Sequence, residues 1–208
     1  MTTTIEVRPA GRLRGAWAAA HHPVPGVSRW ARNAAYAVPY TVLPASLWRI
    51  ALCTFHVPIG RGQIGSGVTS SGLPGVPIEL YAIVLSIVSE LLAFTAVGLV
   101  CTWGEVVPRW MPVLRGRRVP VLAAVVPAAV GAVALTLLWT WVAASFSLGM
   151  RVNGRPLGGD SVLSFGDWKG LVAVIAYAPL LLWGPLLGAV TISYWKRRHA
   201  RRGLRGGR

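Results

Sequence analysis

Two ionisable side chains stand inside long apolar stretches of this sequence: Arg49, in the run from Ala34 to Val57, and Glu90, in the run from Leu80 to Trp103. Either charge alone at mid-bilayer would cost about 2.5–3.5 kcal/mol on insertion scales, so the two are expected to meet. Arg49 lies about three residues past the middle of its run and Glu90 near the middle of the next. If the runs are antiparallel helices, the depths differ by about 4–5 Å at helical rise. A long arginine side chain closes such a gap, and a guanidinium offers a carboxylate two parallel hydrogen bonds. This candidate intramembrane ion pair could relay a proton or hold a substrate. It could equally clamp two helices together, and the clamp is preferred because one charge of each sign neutralises the other.

Around the pair the spacing is helical. Ser46, Arg49, Cys53 and His56 recur at intervals of three and four and would share one face of the first helix, while Ser86, Glu90 and Ala93 do the same on the second. A polar cavity between those faces is one reading. The plainer one is that polar residues turn inward simply to avoid lipid.

Other motifs carry less chemistry. Gly60-Arg61-Gly62-Gln63-Ile64-Gly65 matches the dinucleotide-binding G-x-G-x-x-G in letters, but no strand precedes it and no helix follows to receive a pyrophosphate; no cofactor is expected. His21-His22 has no Cys, Asp or Glu at ligand spacing, so no metal site is expected either. No nucleophile and base fall in a workable arrangement, and six acidic residues leave little for carboxylate catalysis. Gly184 and Gly188 form a G-x-x-x-G interrupted by Pro185, with Pro179 before it. Small residues let helices approach closely and prolines kink them. Packing against Ala124, Ala128 and Ala132 is the expected use, with a homodimer through this face as a lesser alternative.

The elements that must position these residues are four apolar runs, at 34–57, 80–103, 119–146 and 171–195, each with at most one full charge. Each is long enough to cross a hydrocarbon core of about 30 Å. With 54% hydrophobic and 13% charged residues and a mean hydropathy of +0.55, the 208-residue chain lies outside the soluble globular range. The expected fold class is all-α: an integral membrane bundle of four transmembrane helices with both termini in the cytoplasm. Residues 1–33 read as a loose basic tail, 34–195 as the membrane domain and 196–208 as a second basic tail. The first run begins too late for a cleavable signal and is expected to remain as an anchor.

The net charge of +15 is a topology signal, since 16 of the 21 Lys and Arg lie in three segments beside the runs. Those 16 fall on one side and four on the other, which puts both termini inside by the positive-inside rule. Trp30, Trp103, Trp110, Trp168 and Trp195 lie at or near the run ends, where indoles favour the interface. Lys196, Arg197, Arg198, Arg201 and Arg202 are expected to contact anionic lipid headgroups, at about 1 kcal/mol per residue near the surface; no nucleic-acid partner is expected. Cys53 and Cys101 fall near opposite membrane faces, too far apart for a disulfide.

Trp103-Gly104-Glu105-Val106-Val107-Pro108-Arg109-Trp110-Met111-Pro112, continuing to Arg117-Arg118-Val119-Pro120, resembles the connection in a group of small uncharacterised multi-pass membrane proteins of actinobacteria. That resemblance covers about twenty residues and implies a bacterial cytoplasmic membrane and the four-helix layout. An arginine-rich, lysine-poor composition, 19 to 2, also reads as a GC-rich bacterial genome. The leading functional expectation is a non-enzymatic accessory or partner-binding membrane protein. A small transporter or permease-like component using Arg49 and Glu90 comes second, and a membrane-embedded enzyme third.

Overall fold

The computed structural model describes residues 24–54, 76–104, 119–150 and 168–206, and these residues are helical with no strand among them. In chain order the helices are α1 (Arg29–Thr54), α2 (Ile78–Gly98), α3 (Val121–Ser147), α4 (Trp168–Tyr177) and α5 (Leu180–Gly206), with a 3-10 turn at Thr102–Gly104.

Local chemistry sets the helix ends. Val24-Pro25-Gly26-Val27 turns on a 3.3 Å bond from the Val27 amide to the Val24 carbonyl, with Gly26 at φ 84°; proline followed by glycine is what a type II turn requires. The Ser28 hydroxyl then accepts the Ala31 amide at 3.2 Å and opens α1 as an N-cap. The helix therefore starts ahead of the apolar run at Ala34, inside the segment expected to be a loose tail. At the far end of α3, Gly149 adopts φ 68°, the left-handed conformation that stops a helix.

The expected fourth span, 171–195, divides at a proline. Pro179 has no amide to donate and its ring displaces the preceding carbonyl, so α4 ends at Tyr177 and α5 restarts at Leu180. The break is bridged by tight bonds from Leu181 to Ala178 at 3.2 Å and from Leu182 to Pro179 at 3.0 Å. Past Trp195 the helix does not stop. It continues through the basic tail to Gly206, because Arg, Lys and Ala are good helix formers whatever solvent surrounds them.

Three segments are long and apolar enough to cross a membrane: Glu79–Gly98, Val121–Ser147 and Leu171–Ala200, with mean hydropathies of 2.1, 2.5 and 1.9. The first expected span, 34–57, does not join them. Its helix, α1, is long enough at 26 residues, but Tyr36, Pro39, Tyr40, Thr41, Pro44, Ser46 and Arg49 dilute its apolar content. The packing shows how those residues are accommodated. α1 lies against α2 and α5, with a smaller contact to α4, and it buries a stripe of Ala31, Ala34, Ala35, Val38, Thr41, Val42, Ala45 and Ser46 at helical spacing.

The helices form a row, α2, α1, α5, α3, because α3 packs chiefly on α5. Alanine and valine dominate the core, and side chains that small let helix axes come close. One end of the bundle is tied across all four members of the row. The Val24 amide donates to the Val100 carbonyl at 3.1 Å, Arg197 Nη2 to the Leu99 carbonyl at 3.1 Å and Arg198 Nη2 to the Val119 carbonyl at 2.9 Å. The start of α1, the exit of α2, the approach to α3 and the basic part of α5 thus share one end.

Candidate functional site

Arg49 and Glu90 both extend buried stripes. On α1 the stripe runs Val38, Val42, Ala45, Ser46 and then reaches Arg49 one turn on; on α2, Ala82, Ser86, Ala93 and Val97 bracket Glu90. Two contacts fix the antiparallel register of the pair. Ser46 is the α1 side chain that reaches the Glu90 carboxyl, and the Tyr36 hydroxyl lies 3.8 Å from Cys101 Sγ. In that register Arg49 stands level with Ile87, one turn from Glu90.

Arg49 Nη1 and Glu90 Oε1 are each buried with no hydrogen-bond partner, and so is Ser46 Oγ, which approaches the carboxyl without bonding geometry. One atom of each of three polar side chains on this seam is thus buried without a hydrogen-bond partner, a condition that costs free energy in a low-dielectric interior.

Neighbouring hydroxyls behave differently. Thr41 donates to Val38 O, Ser86 to Ala82 O and Thr191 to Leu187 O, each at 2.7 Å. Bonding back to the preceding turn is how a hydroxyl satisfies itself where no water is present. Ser86, expected on the polar face beside Glu90, is buried there but has turned its proton to its own helix. The Cys53 side chain and His56 lie outside the described residues.

The small-residue contact joins α5 to α3. A Cβ added at Gly184 would stand 2.6 Å from the Thr136 amide nitrogen and 2.8 Å from the Ala132 carbonyl oxygen, whereas one at Gly188 would meet the Ala132 methyl at 3.6 Å. Ala124 and Ala128 lie further along the same α3 surface, partly buried against the core.

A second polar cluster went unforeseen. At the tied end of the bundle Tyr194 is almost wholly buried, its hydroxyl donates to the Gly104 carbonyl at 3.5 Å, and the guanidiniums of Arg197 and Arg198 sit 5.4 and 5.8 Å from its ring centre. Cation–π attraction at these distances adds to two charge-assisted bonds to carbonyls. Arg197 and Arg198, expected to face lipid headgroups, are thus turned at least partly onto protein. Lys196 is exposed, and the side chains of Arg201 and Arg202 lie outside the described residues. Beside this cluster the chain bends so tightly that a Cβ at Gly104 would overlap the Gly98 carbonyl and one at Gly98 would lie 2.6 Å from the Trp103 ring.

Between α2 and α3, with α5 as floor, lies an apolar cavity of about 540 Å³ lined by residues including Leu92, Gly98, Trp103, Pro127, Gly131 and Trp183. Neither Arg49 nor Glu90 lines it. Among the described residues no group of three or more His, Cys, Asp or Glu converges as a metal site would require. No protein-family model, curated protein or solved structure matches the chain.

Proposed function

We propose that this chain is a non-enzymatic accessory protein of a bacterial cytoplasmic membrane that spans the bilayer four times, keeps both termini inside, and binds another membrane protein through α3. The observation that carries the reading is the exposed side of α3. Leu122, Val126, Val130, Val133, Leu137 and Trp141 repeat every three or four residues, and each is at least half exposed. They form one continuous apolar stripe on a helix anchored chiefly through α5. A helix with one side bound and the other apolar along its length is suited to receive a second helix in the plane of the membrane.

The experiment is photocrosslinking of the full-length chain in its native membrane from Val133 and Leu137, with Tyr40 and Leu47 of α1 as controls, followed by capture in mild detergent. A discrete protein adduct from the α3 positions alone is expected. Adducts of equal yield from both helices, or none from α3, overturn the reading.

A second reading, a small transporter component, is favoured by the unpartnered buried atoms of Ser46, Arg49 and Glu90, since intramembrane ionisable groups commonly mark ion or substrate routes. It requires that Glu90→Gln abolish a proton-coupled flux in vesicles while leaving the protein folded.

A further inference from the structure

The cavity between α2 and α3 is a groove, open on one side. The two helices hardly touch each other; Leu92, Ala123, Pro127 and Ala134 on its rims are exposed, while Leu99, Trp183 and Leu187 at its floor are buried. Its lining runs on α3 from Ala123 to Leu135, twelve helical steps or about 18 Å. A volume of about 540 Å³ drawn out over that length has a mean cross-section of about 30 Å². A helix with its side chains, about 10–12 Å across, takes up roughly three times that area, whereas carbon atoms in contact sit about 3.5–4.0 Å apart and a single hydrocarbon chain fits. No charged residue lines the groove among the described residues, and the hydroxyl of Thr95 donates back to the Leu92 carbonyl at 2.6 Å. One end is closed by Leu99 and Val119 at the tied end of the bundle, and the other lies at Leu135, midway along the 27-residue α3. Half of a hydrocarbon core is about 15 Å, so the groove matches one leaflet in length. Gly131 widens it without serving helix contact, since a Cβ there would meet nothing nearer than Leu187 Cδ2 at 3.9 Å.

We propose that this groove holds one straight acyl chain of a phospholipid from the leaflet at the tied end of the bundle, gripped by its hydrocarbon and not by its headgroup. The chain enters from the open side, with its ester end near Gly104 and Val119 and its methyl end against Leu135, Trp183 and Leu187. An empty groove would forfeit dispersion contacts with every atom that lines it. Water does not fill such a space, because it needs two to four polar partners and the lining offers almost none. The helix of a second copy is too wide for it. Lipid tails are as apolar as the lining, so a chain gains no hydrophobic energy by moving in from the bilayer and its preference for the groove rests on shape. Straight chains therefore bind, and methyl-branched chains, whose side groups widen them, bind less well.

The test is photolabelling of the full-length protein in liposomes by a phosphatidylcholine that carries a diazirine near the end of a straight chain, followed by peptide mapping. Adducts should concentrate on Leu135, Trp183 and Leu187, and moving the diazirine beside the ester should shift them to Val119 and Ala123. Phosphatidylglycerol with the same chain should give the same pattern and yield, and a methyl-branched chain should label the groove weakly. Gly131→Leu, which fills the groove, should lose the groove adducts and keep the background labelling of exposed Leu137 and Trp141. If that variant fails to fold, Ala134→Phe at the exposed rim decides in its place. Adducts spread evenly over Leu137, Trp141 and the groove, a pattern indifferent to the diazirine's position, or full groove labelling in the filled variant would overturn the proposal. So would labelling that requires phosphatidylglycerol, which would mean recognition of the headgroup, or a disulfide dimer formed through Gly131→Cys, which would give the groove to a second copy.

Discussion

Gly184 on α5 faces the backbone of Thr136 on α3, with room for a hydrogen and no room for a methyl group: a Cβ there would lie 2.6 Å from the Thr136 amide nitrogen. Gly184→Ala should therefore destabilise the bundle by about 1–3 kcal/mol, the usual range for overpacking, outweighing the roughly 0.5–1 kcal/mol that alanine gains over glycine in a helix. Gly188→Ala is the matched control. Its Cβ would make an ordinary 3.6 Å contact with Ala132, so it should be neutral or slightly stabilising. Thermal unfolding of both variants in one detergent checks the pair, and a Gly184→Ala protein that melts at or above wild type contradicts the contact.

The seam between α1 and α2 makes an ordered prediction about coupling. Ser46 reaches Glu90, while Arg49 Nη1 and Glu90 Oε1 have no hydrogen-bond partners. In double-mutant cycles built from Ser46→Ala, Arg49→Gln and Glu90→Gln, the 46/90 pair should couple by at least about 0.5 kcal/mol, the threshold above which neighbours depart from additivity. The 49/90 pair should couple less. The reverse order would mean that the arginine reaches the carboxylate in the bilayer after all, and then Arg49→Glu combined with Glu90→Arg should restore stability that each single change removes.

How much of this was legible in the sequence depends on what each residue signals. Hydropathy located α2, α3 and the apolar part of the last helix, since long apolar runs with at most a charge or two have few other places to go. It misplaced the start of α1, because the start is written in Ser28 and the Pro25-Gly26 turn, which are polar or neutral on any hydropathy scale. It bounds the last apolar span at Trp195 and carries no information on where the helix ends, which is Gly206. Gly184 and Gly188 announced a close contact through their spacing, but Thr136, the residue that makes it tight, has no motif. The Arg197 and Arg198 clamps could not be foreseen at all. Their acceptors are main-chain carbonyls at Leu99 and Val119, 98 and 79 residues away, and a backbone oxygen leaves no trace in residue type.

The remaining question of topology turns on α1, which is long enough to cross a bilayer but less apolar than the other three. Val24 is bonded to Val100 and the Arg197 and Arg198 clamps gather the exits of α2 and α5 at the same end, so if α2 crosses, an antiparallel α1 packed along it should cross too. Single cysteines in a background carrying Cys53→Ser and Cys101→Ser test this directly. Val76→Cys should react with a membrane-impermeant maleimide in intact cells, while Arg29→Cys and Ala200→Cys should react only after permeabilisation. That pattern requires α1 to carry the chain from the basic end to the other side. If Arg29→Cys and Val76→Cys were labelled together, α1 would lie on one side of the membrane, and the charge bias of 16 to 4 across the flanking segments would have to be recounted for three crossings.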